Sequence, residues 1–275
     1  MLKEIFMRHT IKPKGEDRES EKYKGASENG VELGKEKARE VMELLEKSKE
    51  GAVIFIGGAS DAIRTKSMDR ILGDEIKRII KEENREDIIA LTEEDIADKE
   101  KGYSQIVQEV VKKIEDNPDK KIVVEFPLFI KEFAMGGRWV EENGQYTDYT
   151  KAILAKHNNN EVECLKDWIG NEGHLDNLTG PNPTEVAKEH LQGAKRLREF
   201  AEKYVKDRPI IIGSAGHSWN FDALAVFLAN NGKVDLEGLE KVGGQMIGVT
   251  EMARIEADGD DCKLIYKNKE FPIEI

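Results

Sequence analysis

Two histidines and two arginines stand at the ends of apolar runs that lie far apart in the chain. Arg8 and His9 close the first run, in Met7-Arg8-His9-Thr10. Arg64 follows another, in Ser60-Asp61-Ala62-Ile63-Arg64-Thr65. His217 follows a later one, in Gly213-Ser214-Ala215-Gly216-His217-Ser218. Phosphoryl transfer needs a nucleophile, positive charge spread around the equatorial oxygens and an acid for the leaving group. An imidazole is a competent nucleophile when the attacking nitrogen is neutral, and His9 is the candidate. A backbone carbonyl accepting from its other nitrogen would fix that tautomer. Arg8 and Arg64 offer planar forks of donors that match phosphate and stay charged. His217 is expected to be a protonated donor, its charge favoured by the bound dianion.

The elements that must position these residues follow from hydrophobic periodicity. Residues 2–7 read as a strand, 31–49 as a helix, 52–56 as a strand and 61–83 as a helix. Strands at 88–91 and 121–126 flank a helix at 103–115. A long amphipathic helix at 184–205 is capped by Thr184 or Asn182. It precedes a buried strand at 210–212 and a helix at 219–230. Strands at 245–256, 261–266 and 270–275 read as an antiparallel tail with turns at Asp258-Gly259 and Asn268. Alternating strands and helices predict a three-layer α/β/α sandwich with a mainly parallel sheet and an antiparallel C-terminal edge. In such sheets, sites form at the carboxyl ends of the strands. Residues 15–29 are polar and aperiodic, and are expected to form a mobile loop. Residues 127–182 hold turn signals (Gly136-Gly137, Asn143-Gly144), a short helix at 146–156 and a break at Asn158–Asn160. The stretch is expected to be a cap or insert within a single domain spanning 1–275.

These motifs resemble the histidine phosphatase superfamily, whose fold is phosphoglycerate mutase-like. Arg8-His9-Thr10 matches its Arg-His-small motif after the first strand. Arg64-Thr65 matches the arginine that opens the helix after the second strand. Gly216-His217-Ser218 matches its late histidine. The resemblance covers both ends of the chain and leaves residues 127–182 largely unmatched. It implies that His9 becomes phosphorylated while Arg8, Arg64 and His217 form the phosphate pocket. It further implies a proton donor after the third strand, where Leu91-Thr92-Glu93-Glu94-Asp95 stands. Glu93 is the best match, Glu94 a close second, and Asp222, one helical turn beyond His217, a weaker candidate. The three acids also suit the start of a helix, whose N-terminus favours negative charge. Thr10 replaces the usual glycine and is expected to donate its hydroxyl to phosphate. Glu94-Asp95-Ile96-Ala97 stands where the mutases carry Arg-His-Tyr-Gly, which argues for a phosphatase.

The resemblance therefore implies a metal-independent phosphomonoesterase with no cofactor, acting on a small phosphorylated metabolite. The rival readings are a mutase-like phosphotransferase and a non-catalytic binder of phosphorylated ligands. Composition excludes other classes. The net charge is −12, and no basic run dominates, so nucleic acid is not an expected partner. A locally basic cleft can still hold an anion. No stretch approaches the roughly 20 apolar residues of a membrane span. The N-terminus reads as too short and charged for a signal peptide. Cys164 and Cys262 stand in no metal-type spacing, and a reduced, cytoplasmic protein is expected.

Other features carry competing readings. Lys12, Lys14 and Arg18 would contact more of an anionic substrate or form a solvated loop. Arg138, Trp139, Tyr146 and Tyr149 would form a lid or a satellite core. Glu172 and His174 are a fragment of a metal site without a third ligand. Gly57-Gly58-Ala59-Ser60 lacks the Gly-Lys-Ser/Thr ending of a P-loop, so its glycines read as a tight turn toward Arg64.

Overall fold

The structure, a computed structural model, describes residues 2–96, 102–141, 144–205, 208–258 and 261–274. The first half alternates as β1 (Leu2–Arg8), α1 (Glu28–Glu46), β2 (Val53–Ala59), α2 (Ile63–Glu82) and β3 (Ile88–Leu91). A single turn, α3 (Glu93–Ile96), then precedes α4 (Tyr103–Glu115) and β4 (Lys121–Phe129). The stretch expected as an insert holds α5 (Asp148–Lys156), α6 (Glu161–Gly170) and a small hairpin, β5 (His174–Leu175) with β6 (Leu178–Thr179). There follow α7 (Pro183–Tyr204), β7 (Ile210–Gly216), α8 (Ser218–Ala229), α9 (Leu236–Lys241), β8 (Met252–Asp258), β9 (Asp261–Tyr266) and β10 (Lys269–Pro272).

The main sheet runs β10-β9-β8-β1-β7-β2-β4-β3. The five strands from β1 to β3 are parallel, and β8, β9 and β10 extend the β1 side antiparallel. Strand side chains alternate between faces, and two apolar layers result. Ile54, Ile56, Val123 and Ile211 meet Val41, Leu45, Met68 and Ile76 of α1 and α2. Val53, Phe55, Val124 and Ile212 share the opposite layer with Val110 of α4, Leu197 of α7 and Phe221 of α8. This is the three-layer α/β/α architecture with an antiparallel C-terminal edge, as the phosphoglycerate mutase-like expectation requires.

Local differences from the sequence reading have physical causes. The strand expected from 245 begins only at Met252, and Thr250, within the expected span, takes a positive φ that interrupts extended backbone. The asparagine run that reads as a break also starts a helix. Asn158 and Asn159 take positive φ, and the Asn160 side chain accepts from Val162 N and Glu163 N at the start of α6. Asn182, not Thr184, caps α7. Of the sequence features noted above, Ala97, Asn143 and Gly259 lie outside the described residues.

A buried carboxyl pair lies between α2 and the sheet. Burial raises Asp69 well above the usual carboxyl range and pushes Glu125 up to about 7. A carboxyl raised in the folded state stabilises below its unfolded pKa and loses that contribution as pH rises through the folded value. Glu125→Gln is therefore expected to match wild type near pH 4.5 and to exceed its stability by about 2–3 kcal/mol at pH 8. Urea unfolding at both pH values checks this, and a variant less stable than wild type at pH 8 contradicts it.

Candidate active site

The order of β1, β7 and β2 in the sheet gathers residues that the sequence keeps apart. Arg8 pairs in register with Gly216, so His9 and His217 leave adjacent parallel strands side by side. The His9 backbone N–H donates to Gly216 O at 3.0 Å, and the two imidazole centroids are 5.2 Å apart. On the other flank of β7, Gly57 adopts φ +154, and a Cβ there would meet Phe126 O at 2.0 Å. The β2–β4 register shifts between Gly57 and Ala59, and the chain turns from there into α2. Arg64, second residue of α2, then reaches back over both histidines.

The hydrogen bonds fix both tautomers. His9 Nδ1 lies 2.7 Å from Thr10 O, and Arg64 Nε donates to His9 Nε2 at 3.0 Å. A guanidinium only donates, so Nε2 carries the lone pair and Nδ1 the proton. Burial first, then the Arg64 charge, lowers His9 to about 3. His9 is a neutral imidazole with its basic nitrogen facing the guanidinium. Arg64 Nη2 lies 3.2 Å from His217 Nδ1, and His217 Nε2 lies 2.8 Å from Ser60 Oγ. By the same logic His217 donates from Nε2 to Ser60. Burial and the neighbouring Arg64 and His9 push His217 well below the usual imidazole range. The expected protonated His217 therefore requires the charge of a dianion beside it.

Two helices point their amino ends at this cluster. His217 is the N-cap of α8 and Ala62 that of α2, and neither start has a side-chain cap. Free first-turn amides and the helix dipole favour an anion there. The cleft above them is about 200 Å³, and Arg8, His9, Arg64 and His217 line it together with Lys12 and Lys14. Its walls are largely apolar, with Met135, Trp139, Leu154, Trp219 and Val249 among them. The region around 127–182 supplies part of that wall and is clamped to α8. Trp139 and Trp168 lie 5.1 and 6.0 Å from Trp219, and Trp139 Nε1 donates to Asn220 Oδ1 at 3.0 Å.

Other candidates stand elsewhere. Glu93 does not line the cleft; it pairs with Arg70 at 3.0 Å. β4 lies between β2 and β3. With strands about 4.8 Å apart, Glu93 starts its helix about 14 Å from β7 and about 19 Å from β1. Glu94 is exposed on the same turn. Asp222 is fully buried, accepts from Ile247 N at 2.8 Å and from Tyr266 OH, and is pushed by burial up to about 7. The same Ile247 presents its carbonyl to Arg8 Nη1 at 2.9 Å, so Asp222 helps to orient Arg8 from behind. The Thr10 hydroxyl donates its one proton to Gly30 O at 2.5 Å, which corrects its expected role as a phosphate donor. Its contribution is the carbonyl that sets the His9 tautomer.

Arg138 pairs with Glu189, and Trp139 and Tyr149 are buried in the main core, while Tyr146 remains exposed at the cleft. Arg18 does not line the cleft. Glu172 and His174 belong to no group of three or more metal-type ligands among the described residues. Sequence reading gave no role to Ser60, Tyr266 or Glu161. Ser60 alone carried a signal, its place just past the second strand.

No family model matches the chain, and no curated protein does. Several solved structures are similar over nearly its whole length. A mycobacterial glucosyl-3-phosphoglycerate phosphatase aligns at 13% identity and TM-score 0.49, covering 97% of this chain and 98% of its own. The ecdysone phosphate phosphatase of Bombix mori aligns at 12% and TM-score 0.41, covering 100% and 95%. A phosphoserine phosphatase of Entamoeba histolytica aligns at 10% and TM-score 0.38, covering 93% and 91%. Among the described residues, no helix is long and apolar enough to cross a membrane.

Proposed function

We propose that the chain is a phosphomonoesterase that works through a phosphohistidine on His9. The observation that carries this reading is the His9 tautomer. Its unprotonated Nε2 faces Arg64 at 3.0 Å, at the meeting point of a second guanidinium, a second histidine and two helix starts. A structural histidine needs no such concentration of positive charge, which lowers its own pKa and is unfavourable without an anion.

In this reading the phosphate dianion settles between Arg8 and Arg64 and takes the Arg64 Nε–H away from His9. Freed, Nε2 attacks phosphorus in line as the ester bond breaks, and Nδ1 keeps its proton on Thr10 O. The guanidiniums, His217 and the α2 and α8 amides hold the charge of the transferring group. Water then attacks the phosphohistidine, releasing phosphate and restoring Nε2. The apolar wall and the two rim lysines suit a small ester whose organic half is partly apolar. Residues 127–182 act as the cap of a single domain. Two unpaired cysteines, Cys164 and Cys262, support a reducing, cytoplasmic setting.

The test is turnover of p-nitrophenyl phosphate. Stoichiometric release of nitrophenol and inorganic phosphate, competitively inhibited by vanadate, is expected. Saturable binding of vanadate with no turnover of any aryl or alkyl phosphate would instead identify a binding module.

A further inference from the structure

A poor leaving group needs a proton, and Glu93, Glu94 and Asp222 do not line the cleft. Among the described residues that do, Glu161 is the only carboxylate. We propose that Glu161, the first residue of α6, is the general acid of the first half-reaction and the general base of the second. The assignment rests on the phosphomonoesterase reading above.

Geometry supports it in three ways. Glu161 Oε2 lies 2.9 Å from Arg8 Nη2. A phosphate oxygen accepting from that nitrogen would sit about 2.9 Å from it, hence within about 6 Å of Oε2. Second, Arg8 is turned toward this spot. Its Nη1 is held by Ile247 O, and its Nε is buried with no partner, a donor that an ester phosphate would satisfy. Third, the carboxylate combines a fixed base with access to water. Asn160 caps α6, and Cys164, Leu165 and Trp168 bury its inner face, while the Glu161 side chain is 40% exposed.

The steps balance. His9 Nε2 forms the N–P bond, the P–O bond to the leaving group breaks, and the Glu161 proton passes to that oxygen. The Glu161 carboxylate then takes a proton from water while the water oxygen bonds to phosphorus and the N–P bond breaks. Glu161 ends protonated and His9 neutral, as both began.

The experiment compares wild type with Glu161→Gln, which keeps shape and hydrogen bonding. Rapid-quench kinetics would use p-nitrophenyl phosphate, whose leaving group needs no proton, and phenyl phosphate, whose leaving group does. The variant is expected to form the phosphoenzyme from p-nitrophenyl phosphate within about fivefold of the wild-type rate. It should form it from phenyl phosphate about 10²-fold or more slowly. Its steady state should show a burst of one nitrophenol per enzyme followed by slow hydrolysis. Equal effects on both substrates would overturn the proposal. So would a lower KM with unchanged kcat, the mark of a carboxylate that merely competes with phosphate for Arg8. A leaving-group-selective loss in Glu93→Gln, with none in Glu161→Gln, would also overturn it. Absence of a phosphoenzyme in wild type would instead sink the underlying phosphomonoesterase reading.

Discussion

Replacing His9 with alanine is expected to lower kcat/KM for an aryl phosphate by about 10⁴-fold or more, the scale seen when an attacking residue is removed. The bare nitrogen of His217 is expected to take a proton when the dianion binds, and so not to replace His9. The other imidazole in the cluster, His217, presents Nδ1 to Arg64 and Nε2 to Ser60. Arg8, Arg64 and the two helix starts remain in the variant, so vanadate binding should survive within about tenfold. The loss would then lie in kcat rather than in ground-state affinity. Steady-state rates together with a vanadate titration check this. A residual rate within tenfold of wild type would remove His9 from the chemistry.

Loss of Arg64 is expected to be the second-largest effect. Among the described residues it is the one whose side chain bonds to both imidazoles, at 3.0 and 3.2 Å. Removing a single preorganised donor costs about 10²–10³ in rate, and Arg64→Ala removes several at once. A loss of about 10³-fold in kcat/KM is expected, and Arg64→Lys should recover only part of it, because an ammonium cannot span both rings. A pH effect should accompany it. The Arg64 charge is the second contributor, after burial, holding His9 at about 3. Without it, His9 should titrate higher and the acid limb of the rate profile should move to higher pH. NMR titration of the imidazole protons reads this directly, and an unmoved His9 would show that Arg64 does not set its basicity.

The pocket was legible in the sequence for a specific reason. Arg8-His9, Arg64 and His217 each sit where a strand ends or a helix begins, and those points converge whenever the strands are parallel. The carboxylate that lines the cleft was not legible from the acids after the third strand. Chain order names β3 as the third strand, but sheet order puts β4 beside β2 and sends β3 to the edge. No local pattern encodes which strand inserts where. Glu161 was hidden differently. Its helix follows a run of asparagines that looks like an ending, and its partner Arg8 lies 153 residues away. Thr10 shows a third kind of limit. Its residue type fits a phosphate donor, yet close approach of Gly30 on α1 commits its hydroxyl to a carbonyl. The architecture itself, two helical layers over a parallel sheet with an antiparallel tail, followed from periodicity alone. The β8 start, the β5–β6 hairpin and the short helices α6 and α9 were among the features that escaped it.

The central claim is that the phosphoryl group rests on His9 between the two half-reactions. Rapid mixing with substrate, denaturing quench at alkaline pH and peptide mass spectrometry test it most directly. The account predicts one phosphoryl group per chain, on His9 and absent from His9→Ala. Full turnover with no phosphoenzyme, or with the label on another residue, would contradict it.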